Sequence, residues 1–318
     1  MAAEPVTAAI PVLDGGPRLD EVLSAVRAQQ LDRPLELLVA DSGSTDASVA
    51  VARRHGAQVI DVARGDFSHG GTRNLLFERA SGSHVAFLTQ DAVPADERWL
   101  ARLLEGFELA EDVALVFGPY RPRPEASAMV ARELEEWFRS FAPDGSPQVD
   151  RGAPGRAGAH PRFEFFTDAN GCVARWAWER VPFRPVSYAE DQLLARDMLG
   201  EGFAKAYHPG AAVVHSHDYS LVQLFQRSFD EWRGLHEIRG QMAEGRLLPL
   251  ALVVQRQARD DLDYLRRRGV GGPRLTVEAL HAVGHHAARA AGAALGSRAE
   301  RLPERIRRAF SLERRGGA

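Results

Sequence analysis

The stretch HVAFLTQDAVP, residues 84–94, runs apolar from Val85 to Leu88 and stops at Thr89-Gln90-Asp91. A short apolar run without alternation reads as a strand covered on both faces. Working outward, VTAAIPVL (6–13), LELLVAD (35–41), AQVIDV (57–62) and VALVFG (113–118) read as further strands. Between them, PRLDEVLSAVRAQQ (17–30) places Leu19, Val22, Leu23 and Val26 on one helical face. STDASVAVARR (44–54) starts with cap-type residues, GGTRNLLFERA (70–80) opens at its glycines, and a further helix is expected around 96–109. Strands alternating with helices predict an α/β fold: a mostly parallel sheet with helices on both faces. Ligands bind such sheets beyond the carboxyl ends of the strands, where Asp41 and Asp91 fall.

From about 120 to 165 the periodicity weakens, and APDGSPQVDRGAPGRAGAHP (142–161) reads as a surface loop. Order returns with NGCVARWAWERV (170–181), the helix YAEDQLLARDML (188–199), and the strands FAKAY (203–207) and AAVVHS (211–216). Beyond 220 the chain reads as mostly helical. The division expected is 1–118 and 119–220 as two halves of one domain, then 221–318 as a helical C-terminal extension.

Composition narrows the function. The net charge is -3, which gives no basic field for nucleic acid. Basic charge is almost all Arg, Lys205 being the single lysine, so no phosphate loop of the G-x-x-x-x-G-K-[ST] type exists. DGGPRLD after the first strand is not a dinucleotide fingerprint. Cys172 is alone, so no disulfide forms within the chain, and Cys-x-x-Cys and H-E-x-x-H zinc motifs are absent. MAAEPVTAAIPVL has no basic start and reads as a strand rather than a signal peptide, and LLPLALVV (247–254) is too short to span a bilayer. A cytoplasmic protein is expected.

Six separated pieces carry the chemistry: ADSGSTDAS (40–48), RGDFSHGGTRN (64–74), FLTQDA (87–92), NGC (170–172), YAEDQ (188–192) and VVHSHDYS (213–220). Asp41 ends a strand in a Gly/Ser turn, and Asp46 suits a helix cap. Gly70 and Gly71 allow backbone N–H groups to approach an anion at a helix start, and Arg73 supplies a planar donor suited to a diphosphate. Asp91 is one carboxylate at a strand end; Mg²⁺ needs only one or two when phosphate oxygens supply the rest. His215 and His217 fall on one side of an extended segment, and an imidazole ligand favours Mn²⁺. Glu190 and Asp191 open a helix, where the dipole alone favours acids.

In this order the pieces resemble the family-two inverting glycosyltransferases with the GT-A fold, over about residues 5 to 235. HGGTRN, LTQDA and HSHDYS are most similar to the bacterial rhamnosyltransferases. The resemblance implies that Asp191 is the catalytic base, with Glu190 orienting it or the acceptor. It implies donor contacts from Asp41, Ser42, His69, Gly71, Arg73, Asn74 and Gln90, and a divalent metal, Mg²⁺ or Mn²⁺, at Asp91 with His215 or His217. Asp168, Asn170 and Trp176 fall where relatives line the acceptor side. TQD departs from the family's D-x-D, with Thr89 in place of the first acid.

The implied reaction takes sugar from dTDP-L-rhamnose to a glycan or lipid-linked glycan. A nucleotide-sugar-binding protein without turnover and a nucleotidyltransferase are the competing readings. Leu275, Val277, Leu280 and Val283, followed by Arg298, Arg301, Arg305, Arg307, Arg308, Arg314 and Arg315, suit either a peripheral membrane contact or a solvated, dimer-forming surface.

Overall fold

The alternation expected from the sequence is present in the computed structural model, which describes residues 4–152, 162–186 and 188–312. In chain order the first elements are β1 (Val6–Val12), α1 (Gly16–Arg27), β2 (Leu35–Asp41), α2 (Ser48–Arg54), β3 (Gln58–Asp61), α3 (His69–Arg79) and β4 (His84–Leu88). There follow β5 (Val93–Pro94), α4 (Trp99–Glu105), β6 (Val113–Phe117), β7 (Tyr120–Arg121), α5 (Ala128–Arg139), β8 (Gln148–Arg151), β9 (Asn170–Ala174) and α6 (Arg175–Trp178). The chain continues through α7 (Glu190–Gly200), β10 (Ala204–Tyr207), β11 (Val213–Val214), α8 (Leu221–Arg239), α9 (Leu247–Arg267), α10 (Gly272–Gly296) and α11 (Glu304–Phe310).

Among the described residues, eight strands form one sheet in the order β3-β2-β1-β4-β9-β6-β10-β8. β1 to β4 run parallel, and β10 is parallel to β6. β9 enters antiparallel between β4 and β6, with Leu88 opposite Asn170. The central strands serve two cores. Ala8, Ile10 and Val12 pack with Leu19, Val22, Leu23 and Val26 of α1, while Ala9 packs on the other face with Leu76 and Phe77 of α3. β4 divides the same way, Ala86 and Leu88 to one side and Val85 and Phe87 to the other. That two-sided burial explains an apolar run without period-two alternation.

Three readings are corrected. The weak stretch 120–165 contains helix α5, whose buried Met129 and Phe138 are interrupted by acids in the sequence. The segment read as a loop over 142–161 contains strand β8, paired antiparallel with β10; residues 153–161 of that loop lie outside the described residues. AAVVHS contributes only β11, in a separate small sheet with β5 and β7.

The chain forms two compact units: Met1–Arg123 with Leu134–Ser216, and Pro124–Glu133 with His217–Ala318. In the second unit α8 starts with a capping box, Ser220 and Gln223 bonding each other's backbone N–H groups. α10 lies against α8 closely enough that a Cβ on Gly292 or Gly296 would stand 2.3 Å from the carbonyl oxygens of Phe225 and Phe229. No described helix is long and apolar enough to cross a membrane. Arg307 and Arg308 pair with Glu304, and Arg298 donates to the carbonyls of Ala243 and Ala294. The basic character expected of 298–308 is therefore largely spent within the unit, and Arg314 and Arg315 lie outside the described residues.

Asn170, at the antiparallel junction, is fully buried. Its amide donates to the carbonyls of Pro119 and Ala211 and accepts from Trp99 Nε1 at 2.7 Å. Asn170→Ala leaves the buried Trp99 Nε1 and the Ala211 carbonyl without this partner, while the Pro119 carbonyl keeps the Val213 N–H, and a cost of at least about 2 kcal/mol is expected. Thermal denaturation checks this as a midpoint lowered by several degrees with the far-UV spectrum retained.

Candidate functional site

The register of β4 against β9 builds the site. Leu88 faces Asn170, so the residues that follow β4 and precede β9 leave the sheet at the same end. Asp91 lies three residues beyond Leu88, and Asp168 two residues before Asn170. The backbone N–H of Asp168 points at Asp191 Oδ2, 3.4 Å away, at the start of α7. Ala189, which precedes α7, is held left-handed at φ 58, an unfavourable conformation for a residue with a Cβ. That turn delivers Glu190 and Asp191 together.

Arg73 sits in the middle of these acids. Its Nε is 2.5 Å from Asp168 Oδ2, and Nη1 is 3.0 Å from Glu190 Oε1 and donates to the carbonyl of His69. Arg73 is 5 % exposed, with its guanidinium turned inward onto the acids. His69 Nδ1 stands 3.9 Å from the same Glu190 oxygen. Burial pushes the Asp191 carboxyl up to about 6, and Glu190 pushes the same way, while Arg73 offsets part of the rise. Asp168 is raised well above the usual carboxylate range, by burial first, with Asp191 and Glu190 adding to it against Arg73. Asp191 nevertheless keeps part of its surface open.

Asp91 lies 3.5 Å, Oδ1 to Nδ1, from His215. That is long for a hydrogen bond and close to the spacing of two ligands held about 2.1 Å from one ion. The His215 ring meets Tyr120 edge-on with centroids 5.0 Å apart, and the Tyr120 hydroxyl bonds Thr167, next to Asp168. These contacts link the Asp91 end of the site to the acid cluster. His217 belongs to the second unit, its ring stacked on Tyr219 at 5.4 Å.

Asp41 ends β2 with Oδ2 accepting from the N–H groups of Gly43 and Ser44. Its Oδ1 and the Ser42 hydroxyl are buried and make no hydrogen bond. Asp46 accepts from Ser48 N at 2.9 Å and also from Gly16 N.

Four of the residues expected at ligand contacts also brace the frame. Gln90 bonds both backbone groups of Leu13, tying the end of β4 to the end of β1. Asn74 donates to Phe183 O and accepts from Trp178 Nε1 and Phe183 N. Gly71 N donates to the cap Ser68, and a Cβ on Gly70 would stand 2.6 Å from Arg184 O, so this glycine pair serves helix capping and close packing. Asn170 is the junction described above. Trp176 is not brought to the group: Ala174 faces His84 at the start of β4, so β9 carries Trp176 away from the Asp91 end. Two neighbours escaped the sequence reading, Tyr120 and Arg123. Arg123 donates to the backbone carbonyl of Asp91 at 2.6 Å. The only signal was the Arg/Pro-rich RPRPEAS (121–127), which has no periodicity. A cavity of about 300 Å³ lined by Gln30, Asp32, Arg98 and Glu105 among others contains none of these residues.

Comparison with known proteins identifies the family. A family model described as Glycosyl transferase family 2 matches residues 7–160. The O-antigen chain rhamnosyltransferase RfbN of Salmonella typhimurium is 31% identical over 231 residues, 71% of this chain and 70% of that protein. WbaN of Salmonella anatum, also an O-antigen chain rhamnosyltransferase, is 30% identical over 64% of this chain and 63% of its own length. Among solved structures, the mannosyltransferase PcManGT from Pyrobaculum calidifontis, in complex with GDP-Man and Mn²⁺, superposes with a TM-score of 0.52 at 18% identity, covering 95% of this chain and 79% of that one. The chain belongs to glycosyl transferase family 2. It is a glycosyltransferase with the GT-A fold and a helical C-terminal region.

The raised Asp191 has a consequence for stability. Its folded pKa of about 6 exceeds the model-peptide value of about 3.9, so ionisation is harder in the folded state. The protein pays no penalty below pH about 4, loses stability as pH rises through 4 to 6, and carries the full cost above. Asp191→Asn is therefore expected to raise the thermal midpoint at pH 7 to 8, with the gain vanishing near pH 4; denaturation scans across pH check it.

Proposed function

We propose that the protein transfers L-rhamnose from dTDP-L-rhamnose to a hydroxyl of a glycan or lipid-linked glycan in surface polysaccharide synthesis, with inversion at the anomeric carbon. The observation that carries the reading is Asp191: a partly open carboxyl, raised to about 6 by burial and by Glu190. A base with that pKa is ionised near neutrality yet still basic enough to take a hydroxyl proton. The acceptor oxygen bonds the anomeric carbon as Asp191 takes its proton. The bond to the diphosphate oxygen breaks on the opposite side, and the nucleoside diphosphate leaves with the electron pair.

In this reading Glu190 and Asp168, held on Arg73, position Asp191 and shape the acceptor side. His69 stands by through Glu190. The unbonded Asp41 Oδ1 and Ser42 Oγ are suited to the donor's ribose or base. Asp91 and His215 would hold Mg²⁺ or Mn²⁺, the imidazole favouring Mn²⁺. Such an ion supplies positive charge where the leaving diphosphate gains negative charge. Arg123 is the cation beside Asp91, the part first given to Arg73. The names of the O-antigen chain rhamnosyltransferases support both the sugar and the polymeric acceptor.

A cytoplasmic protein resting on the inner face of the membrane fits a lipid-linked acceptor. The helical unit exposes Leu247, Leu248, Leu280 and Val222, each at least 68% accessible. Leu221 lies beside Gly284 and joins the α8 and α10 parts of this surface. Replacing Leu221 and Leu280 with Glu is expected to cut co-sedimentation with anionic liposomes several-fold while leaving the fold intact. Unchanged co-sedimentation together with loss of a dimer in gel filtration would assign the surface to self-association.

For the chemistry, Asp191→Asn is expected to lower turnover by about 10²–10⁴ while dTDP-rhamnose binding persists. The wild-type rate should climb as pH rises through about 6 and release dTDP. Donor binding without any transfer would identify a binding protein, and pyrophosphate release a nucleotidyltransferase; either result overturns the reading.

A further inference from the structure

The helical unit contains a second group of metal-type ligands, distant in sequence from Asp91 and His215. Glu133 lies on α5, and His285 and His286 are neighbours on α10, 8 % and 4 % exposed. His285 Nε2 stands 3.7 Å from Glu133 Oε2, and His286 Nδ1 stands 3.6 Å from Glu133 Oε1. Both separations exceed a hydrogen bond. They approach the roughly 3.3 Å between two ligands that sit about 2.0–2.1 Å from one tetrahedral ion. His285 Nε2 is buried, aimed into the group, and makes no hydrogen bond.

His286 supplies the second argument. Its Nε2 is 2.6 Å from Asp261 Oδ2, and Asp261, wholly buried, is paired through Oδ1 with Arg132 at 2.5 Å. With Asp261 Oδ1 engaged by Arg132, a neutral His286 donates its Nε2–H to Asp261 Oδ2. Its Nδ1 lone pair then points at a carboxylate oxygen of Glu133, an arrangement that repels unless a cation lies between. A carboxylate behind a histidine, fixing the tautomer that faces a metal, is the support that metal-bound histidines receive. Arg289 Nη1, 2.5 Å from Glu133 Oε1, is the competing cation; its side chain is 41% exposed.

We propose that Glu133, His285 and His286 bind one transition-metal ion of the Zn²⁺ class, which ties the start of α5 to α10 within the helical unit. Two imidazoles and one carboxylate favour Zn²⁺ or Co²⁺ over the hard cations Mg²⁺ and Ca²⁺. Water completes the fourth position. The role is structural, since the ligands come from two helices packed in one unit and lie outside the family's reactive cluster.

The test uses the full chain with Asp91→Asn and His215→Ala, so that the donor-side ligands contribute nothing. After chelator treatment the protein is titrated with Co²⁺ and then Zn²⁺. One equivalent of Co²⁺ should bind with the visible absorption of a four-coordinate ion, and Zn²⁺ should displace it. Zn²⁺ at about a hundredfold excess over Kd should raise the thermal midpoint by several degrees. His285→Phe, which keeps a ring but removes the ligand, should abolish both effects while the metal-stripped protein still folds. Absence of the absorption and of the shift, or their survival in the His285→Phe protein, overturns the proposal; a midpoint that instead rises as pH falls through the histidine range, with or without metal, assigns the position to a proton on His286.

Discussion

One buried guanidinium answers to three carboxylates. Arg73 contacts Asp168 and Glu190 directly, and Asp191 touches the backbone of Asp168. Three ionised acids cannot share so small and dry a space with one positive charge, so part of the negative charge must be driven off or stabilised elsewhere. The result is an upward push on Asp168 and Asp191. The dipole of α7 favours acids at its start, yet burial and the neighbouring carboxylate outweigh it at Asp191. Arg73 is the guanidinium that contacts both Asp168 and Glu190, so it offsets their mutual repulsion.

Backbone geometry supplies the rest of the constraint. Ala189 in a left-handed conformation costs energy that a glycine would not. It is offset by the packing of α7, whose Leu193, Leu194, Ala195 and Met198 are buried. The antiparallel insertion of β9 next to β4 brings residues almost eighty positions apart to one sheet end. Gln90 and Asn170 then lock that end, one to the chain after β1 and the other to the segments before β7 and β11. Side chains that read as ligand contacts in the sequence are spent on holding the frame.

The helical unit follows a different logic. Its helices meet through small residues, as where Gly292 and Gly296 admit the backbone of α8, and through a buried polar group centred on Asp261 and Glu133. Its outward leucines, Leu247 and Leu248 above all, are more exposed than any described leucine of the α/β unit, where nearly every large aliphatic of the central strands is covered.

The sequence by itself determined the α/β class, the order of strands and helices from β1 to β6 apart from the short β5, and the short list of acids at strand and helix ends. These are local properties: apolar period, cap chemistry and turn residues act within a few positions of one another. The family resemblance added the expectation of a donor and a base, and the relatives show the family. Only the tertiary structure decided that β9 runs antiparallel, that α5 and β8 exist in a stretch with no visible period, and that Arg73 faces acids rather than outward. It alone decided that Gln90, Asn74 and Asn170 are braces and that Tyr120 and Arg123 join the site. Each of these depends on which strand lies beside which and on how much water a charge has lost, quantities set by contacts between segments far apart in the chain.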